Sequence, residues 1–150
     1  FKEVADRKDE VDDRDFEVIL SELGNLDYEE RWILQSVQVS TGDNQKPTAS
    51  VEVKDKDGNT YNDAANGDGP IDSICKAIDR IVKVDNQLTE YRVKSVTEGI
   101  DAQGEVSIRI LSNGQSFVGN AAHTDILVAS ARSYMNAINK LIIYNMRREK

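Results

Sequence analysis

The patterning of the sequence changes at one stretch, Asn66-Gly67-Asp68-Gly69-Pro70-Ile71-Asp72. A strand-like pattern of alternating side chains precedes this stretch, and the pattern of an amphipathic helix follows it. Its glycines relax the backbone, Asp68 or Gly69 can cap a helix, and Pro70 suits the first helical position. A helix that begins in this way presents unpaired N–H groups and a partial positive charge. The stretch therefore predicts either a plain helix cap or a place where a carboxylate ligand binds.

The helix that follows is predicted from Pro70 to about Val84, because apolar residues recur there at helical spacing. These core-facing residues are Ile71, Ile74, Ile78, Ile81 and Val82. Three strands are predicted before the helix, the second over 49–54 and the third over 60–65, with a hairpin turn at Asp57-Gly58 between them.

The first strand is predicted from about Trp32, and a polar loop is predicted over 41–46. Strict alternation places Trp32 and Leu34 on one face of this strand and Val37 and Val39 on the other. The expectation is therefore a strand with apolar side chains on both faces.

The same order of patterns then repeats. Alternating segments at 91–98, 106–110 and 117–122 surround a second turn at Asn113-Gly114, and Thr124-Asp125 can cap a last helix. The apolar stripe of that helix is Leu127, Ala131, Tyr134, Ile138, Leu141 and Ile142. The two turn glycines, Gly58 and Gly114, are 56 residues apart. This interval predicts an α+β fold made by internal duplication of a βββα unit, with the two units packed together.

The domain organisation follows from these patterns. Residues 1–25 are acidic and have helical periodicity, so we expect a helical linker subdomain there. Residues 26–150 would form the main domain, with units at about 30–86 and 87–147. The chain begins within a helical pattern, and we therefore expect it to be a piece of a longer protein.

Composition excludes several classes of function. The chain has 150 residues, with 27 acidic against 19 basic side chains and a formal net charge of -8. This balance argues against nucleic acid or an anionic membrane as the partner. No apolar run approaches the ~20 residues that span a bilayer. Cys75 is the single cysteine, which precludes an intrachain disulfide and fits a cytoplasmic protein.

Few residues could carry catalytic chemistry. His123 is the only histidine, and with Asp125 alone it falls short of a metal site, so a structural or capping role is expected. Cys75 lies beside the apolar stripe of the first helix, where cysteines are usually inert. The sequence indicates a binding or regulatory module with no cofactor of its own.

Four segments closely resemble the C-terminal regulatory (dimerisation) domain of 2-isopropylmalate synthases, a domain that citramalate synthases share in a looser form. They are Gly67-Asp68-Gly69-Pro70-Ile71-Asp72, Glu90-Tyr91-Arg92-Val93, residues 96–106 and residues 124–131. The most specific is Asp101-Ala102-Gln103-Gly104-Glu105. The resemblance implies that the acyl-CoA-condensing barrel, with its divalent metal, lies before Phe1, and that this chain carries the feedback site and supports a homodimer.

Carried over by position, the resemblance implies an effector site for a branched-chain amino acid. Its residues would be Asp68, Gly69, Ile71, Asp72, Leu88, Tyr91, Ser95 and Ala102, with Thr124 and Ile126 at the second helix start. Small residues at Ser95 and Ala102 leave room for a ligand. Citramalate synthases tend to carry a bulkier residue at the Ser95 position and lack the full Asp-Ala-Gln-Gly-Glu run, so the resemblance favours leucine over isoleucine. Three alternatives stay open: a citramalate synthase domain that binds isoleucine, a purely structural dimerisation domain, and an independent small enzyme.

Overall fold

The computed structural model of the chain describes residues 31–42, 45–95 and 103–148. In this part of the chain, two three-stranded antiparallel sheets each lead into one helix. The elements are β1 (Trp32–Gly42), β2 (Gln45–Asp55), β3 (Thr60–Asn66), α1 (Pro70–Val82), β4 (Gln87–Ser95), β5 (Gly104–Ser112), β6 (Gln115–His123) and α2 (Ile126–Arg148). The predicted α+β class and duplicated βββα arrangement are confirmed. The predicted helical linker at 1–25 lies outside the described residues.

Each helix covers the inner face of its own sheet. The sheet orders are β1-β2-β3 and β4-β5-β6, so β1, β3, β4 and β6 are edge strands. α1 packs on β2 and β3, whereas α2 packs on β5 and β6 and also contacts β1 and α1. One core therefore runs through both units. Its largest buried side chains include Ile74, Ile78, Ile108, Ile110, Phe117, Tyr134 and Leu141.

The predicted turns and helix bounds agree with the structure to within a few residues. Gly58 and Gly114 have φ angles of +91° and +81°, which other residues adopt with strain. α1 ends at Val82, because Lys83 turns left-handed (φ 55°) and its N–H donates to the carbonyl of Asp79 at 2.8 Å. The predicted loop at 41–46 is wrong: β1 runs to Gly42 and β2 begins at Gln45, so hairpin pairing continues almost to the turn.

The two-faced prediction for β1 is also wrong. Pairing to β2 shifts by one residue between Leu34 and Ser36, which is a β-bulge at Gln35. Because of this extra residue, side chains after Gln35 lie on the opposite face from the one that strict alternation predicts. Trp32 and Leu34 therefore lie on the same inner face as Val37, and all three pack against the core.

A buried polar network joins the two units. The hydroxyl of Tyr134 on α2 hydrogen-bonds to the carboxyl of Asp79 on α1, and it lies 3.1 Å from Oδ1 of Asn86 in the segment between the units. Burial raises the pKa of the Asp79 carboxyl above its ordinary value, although the hydrogen bonds from Tyr134 and Asn86 oppose the shift. Asp79 thus places a titratable carboxyl at the contact between the helices.

The close packing of α2 on β6 depends on Gly119. A Cβ atom there would lie 1.9 Å from the carbonyl oxygen of Ser133 and 2.6 Å from the nitrogen of Ala137. Both are backbone atoms of α2, so the whole helix would have to move. At Gly69 a Cβ atom would meet nothing within 4 Å.

We therefore expect Gly119→Ala to lower the free energy of unfolding by about 3 kcal/mol or more, because α2 cannot yield locally. Gly69→Ala is the matched control and should cost under about 1 kcal/mol. Urea denaturation followed by circular dichroism measures both. Equal losses in the two variants would contradict the close approach at Gly119.

The raised pKa of Asp79 predicts a specific pH dependence. Between the ordinary carboxyl pKa, near 3.8, and its raised folded value, the native state holds the proton more tightly than the unfolded chain. Asp79 therefore makes the wild type lose stability as pH rises through that window. Asp79→Asn removes this loss, so the stability of the variant relative to the wild type should increase with pH there and then level off.

Asp63→Asn supplies a control of opposite sign. The backbone N–H of Ala64 and the guanidinium of Arg80 lower the pKa of the Asp63 carboxyl. Wild-type Asp63 thus adds stability that is lost as pH falls through its lowered pKa. The stability of Asp63→Asn relative to the wild type should fall as pH rises. Parallel profiles for the two variants, measured by urea denaturation from pH 2.5 to 7, would contradict both assignments.

Candidate functional site

The start of α1 has no side chain that caps it. Gly69 is the N-cap residue, with extended backbone (φ -158°) and no side chain to cap the helix. Pro70 has no N–H, and the first intrahelical bond runs from the N–H of Ser73 to the carbonyl of Gly69 at 3.0 Å. The N–H groups of Ile71 and Asp72 therefore precede any intrahelical acceptor and point beyond the helix.

Asp72 supplies the acidic group of this start. Its Oδ2 accepts a hydrogen bond from the N–H of Asp68 at 2.9 Å and lies 3.1 Å from the ammonium of Lys76. The Asp68 N–H, and then Lys76, lower the pKa of the Asp72 carboxyl, so it is ionised at neutral pH. Gly67 makes this turn possible, since a Cβ atom there would lie 2.5 Å from the nitrogen of Ser73. The start of α1 thus offers both N–H donors and a carboxylate.

The start of α2 is filled by its own side chain. Oδ1 of Asp125 accepts a hydrogen bond from the N–H of Leu127 at 2.8 Å, and the Asp125 N–H donates to Nδ1 of His123 at 2.9 Å. Asp125 follows Gly69 by 56 residues, the interval of the turn glycines. The two starts are therefore equivalent in the duplication, but only the first leaves its N–H groups without a carboxylate. The structural role expected for His123 is confirmed, and Thr124 is exposed.

Apolar side chains lie along the inner face of β4. A bulge between Leu88 and Glu90 places Leu88 on the same face as Tyr91 and Val93. The α2 backbone passes over β5 and β6 but stays clear of β4 in the described residues. Leu88 and Val93 are consequently 37% and 48% exposed. We call Leu88, Tyr91 and Val93, with Ile126 beside them, the β4 groove.

Tyr91 and Ile126 close the side of the groove that faces α2. The hydroxyls of Tyr91 and Ser130 lie 2.8 Å apart; since Ser130 donates to the carbonyl of Ile126 at 2.7 Å, Tyr91 is the donor. The Cδ1 atom of Ile126 lies 2.2 Å from where a Cβ atom of Gly104 would be. Gly104 therefore makes room for Ile126 against β5. Ser95 pairs with Gly104 at the end of β4, and Ala102 lies outside the described residues.

The predicted site residues thus fall into two groups. Asp68, Gly69, Ile71 and Asp72 form the start of α1, while Leu88, Tyr91, Ser95 and Ile126 belong to the β4 groove or its end. α1 does not approach β4 in the described part of the chain. Ile71, Tyr91 and Ile126 nevertheless pack against the same core. The two groups are separate surfaces, one polar and one apolar, that border one interior.

Comparison with known proteins decides what kind of domain this is. The family described as "LeuA allosteric (dimerisation) domain" matches residues 10–142. The chain belongs to this family.

The relatives of this LeuA-family domain are long enzymes. The 2-isopropylmalate synthase of Microcystis aeruginosa is 48% identical over 151 residues, which cover 100% of this chain and 28% of the relative. Those of Prochlorococcus marinus (strain MIT 9211) and Gloeobacter violaceus are each 50% identical, over 96% and 94% of this chain and 27% and 26% of the relatives. The chain therefore spans about a quarter of the length of these relatives.

The sequence-based site of this LeuA-family domain left out Val93 of the β4 groove and Ser130, the partner of Tyr91. Val93 lies two residues after Tyr91 in the same strand, so strand alternation already places the two side chains on one face. Ser130 gave no local signal, because its partner is 39 residues away in the sequence. A cleft of about 600 Å³ between β3 and α1 involves none of the predicted residues; it is lined by Thr48, Ala64, Ala65, Asn66, Lys76, Asp79 and Arg80.

Other chemical groups of the LeuA-family domain are accounted for structurally. Cys75 is buried in α1, and burial raises the pKa of its thiol. No three His, Cys, Asp or Glu side chains of the described residues lie close enough to hold a metal ion. Within the same residues, neither helix is both long and apolar enough to cross a bilayer.

Proposed function

We propose that this chain is the feedback-regulatory domain of a 2-isopropylmalate synthase, that it binds leucine, and that it pairs with a second copy of itself. The family match over residues 10–142 carries the proposal. In the full-length enzyme, a separate metal-dependent barrel would condense acetyl-CoA with 2-oxoisovalerate. This chain would supply no catalytic group, and a cytoplasmic location stays a prediction.

The two groups of site residues offer what an amino-acid ligand needs. The N–H groups of Ile71 and Asp72 suit an α-carboxylate, and the Asp72 carboxylate suits the α-ammonium. The β4 groove is apolar, with the Tyr91 hydroxyl held by Ser130, and so suits a branched aliphatic side chain. Since α1 does not approach β4 within the described residues of one copy of the chain, we infer that leucine bridges the start of α1 and a β4 groove across the pairing of two copies, with its polar end toward α1.

Leucine and isoleucine differ only in the branch position of the side chain, and valine lacks one methylene; such differences are worth about 1–3 kcal/mol in a shaped pocket. Isothermal titration of the chain with each amino acid therefore tests the proposal and ranks the effectors. Tightest binding of isoleucine would favour the citramalate synthase alternative. A dimer that releases no heat with any of the three at millimolar concentration would favour the structural alternative.

Substitution at the two helix starts locates the polar end of the ligand. Gly69→Val should fold, because a side chain there meets open space, but its branched side chain should cover the N–H groups of α1. We expect leucine affinity to fall at least about tenfold, the loss of charge-assisted hydrogen bonds worth about 1.5–3 kcal/mol. Thr124→Val, at the start of α2, is the matched control and should bind leucine normally. Normal binding by Gly69→Val together with weakened binding by Thr124→Val would instead place the polar end of the ligand at the start of α2.

The uncovered face of β4 suggests where the second copy packs. The equivalent strand of the first unit, β1, is covered by α2 from the other unit, whereas α1 gives β4 no such cover. Val93 and Leu88 are left exposed on an apolar face at a sheet edge. Because the family is described as a dimerisation domain, we propose that a second copy of the chain covers the β4 groove.

Val93→Glu tests this interface. A carboxylate buried without a partner between two copies should shift the chain from dimer to monomer in sedimentation velocity at micromolar concentration. Ala64→Glu on the exposed outer face of β3 is the control and should stay dimeric. If Val93→Glu stays dimeric while folded, the second copy lies elsewhere.

A further inference from the structure

Asn139 makes three hydrogen bonds from the second unit to the first. Its Oδ1 accepts from the backbone N–H groups of Arg31 at 3.0 Å and Trp32 at 2.9 Å, and its Nδ2 donates to the carbonyl of Trp32 at 2.9 Å. The side chain is fully buried, with 0% exposure. An amide that pairs with both the N–H and the C=O of one residue takes the place of a neighbouring strand. We call these three bonds the Asn139 clamp.

The clamp acts at the open edge of β1. β1 is an edge strand, and Trp32 is its first residue. The backbone groups that Trp32 turns away from β2 would otherwise need another partner, since buried backbone groups are costly to leave unpaired. The clamp therefore fixes the start of β1 against α2.

The same helix also contacts the β4 groove. Ser130, which accepts the Tyr91 hydroxyl, precedes Asn139 by nine residues on α2. Nine residues of α-helix span about 14 Å and two and a half turns, so the two side chains point to opposite sides of α2. Tyr134 lies between them and holds α1 through Asp79. α2 thus has the groove on one side and the start of β1 on the other.

We propose that Asn139 is a positioning residue for regulation, which couples ligand occupancy at the β4 groove to the position of the start of β1. The inference rests on the proposed function, because it needs a ligand that shifts α2. Hydrogen bonds tolerate only a few tenths of an ångström in length. A shift of α2 must therefore carry Trp32 with it or break the clamp, and either event changes the start of β1.

A purely structural tie is the competing explanation. Such a tie would hold the two units together equally with and without ligand, and its loss would lower stability alone. A coupling residue in addition passes the ligand response to β1. Ligand-dependent measurements at Trp32 and a comparison of binding with inhibition therefore separate the two.

The first experiment needs no substitution. Hydrogen–deuterium exchange of the full-length enzyme is measured with and without saturating leucine, and the amides of Trp32 and Val51 are compared. We expect leucine to slow exchange at Trp32 by at least about threefold while Val51, in the central strand β2, changes less. An equal change at the two amides, or none at Trp32, would overturn the inference.

The second experiment separates binding from inhibition in the full-length enzyme. Asn139→Leu removes the clamp and should keep activity without leucine and a leucine Kd within about threefold of wild type. Maximal inhibition at saturating leucine should fall by at least about half. Asn136→Leu is the matched control: it loses one bond from Asn136 to the carbonyl of Asn120 in its own unit and should stay fully inhibited.

A milder variant guards against loss of folding. Asn139→Asp keeps the oxygens that accept from Arg31 and Trp32 and loses the donation to the Trp32 carbonyl, so it should show intermediate inhibition. Full inhibition in folded Asn139→Leu, or in Asn139→Asp where the first variant does not fold, would overturn the inference and leave the proposed function standing. Absence of leucine binding to the wild type would overturn the proposed function and the inference together.

Discussion

The fold depends on the contact of α2 with both sheets. On one side, Gly119 lets the helix backbone come close to β6, and the Ser133 hydroxyl donates to the carbonyl of Val106 at 2.7 Å. On the other side, the buried amide of Asn139 holds β1. Buried polar side chains must find partners, so these bonds allow one axial position of the helix and penalise the others. Apolar packing alone would tolerate sliding of α2, whereas these bonds do not.

Duplication placed two equivalent helix starts in one chain, and they have diverged in chemistry. Asp125 caps α2 with its own carboxylate, while the N-cap of α1 is a glycine with no side chain. A helix start that already holds a carboxylate has little to offer a second anion, since both would compete for the same N–H groups. The divergence favours α1 as the polar end of the proposed site. It also gives a physical reason why Gly69 differs from its counterpart.

The sequence predicted those features that depend on neighbouring residues. It predicted the glycines of the hairpin turns and the two helix starts, because local chemistry determines each of them. The 56-residue interval followed from the positions of these signals. The sequence did not predict the bulges at Gln35 and Thr89, because an alternating pattern does not show where one residue is inserted. The second bulge shapes the proposed site, since it brings Leu88 onto the face of Tyr91. Asn139 was missed because its partner Trp32 is 107 residues away.

The apolar stripe predicted for α2 described only one of its sides. A helix at the surface needs a single stripe, but α2 lies between its own sheet and the first unit, and it therefore buries Ser130, Ser133 and Asn139 as well. Allosteric control requires an element whose position both the ligand and the output can bias. Within the described residues, α2 is bonded to Tyr91 at the groove and to Trp32 at the start of β1. The polar residues that break its periodicity are thus the ones that give it contact with both ends of the proposed regulatory path.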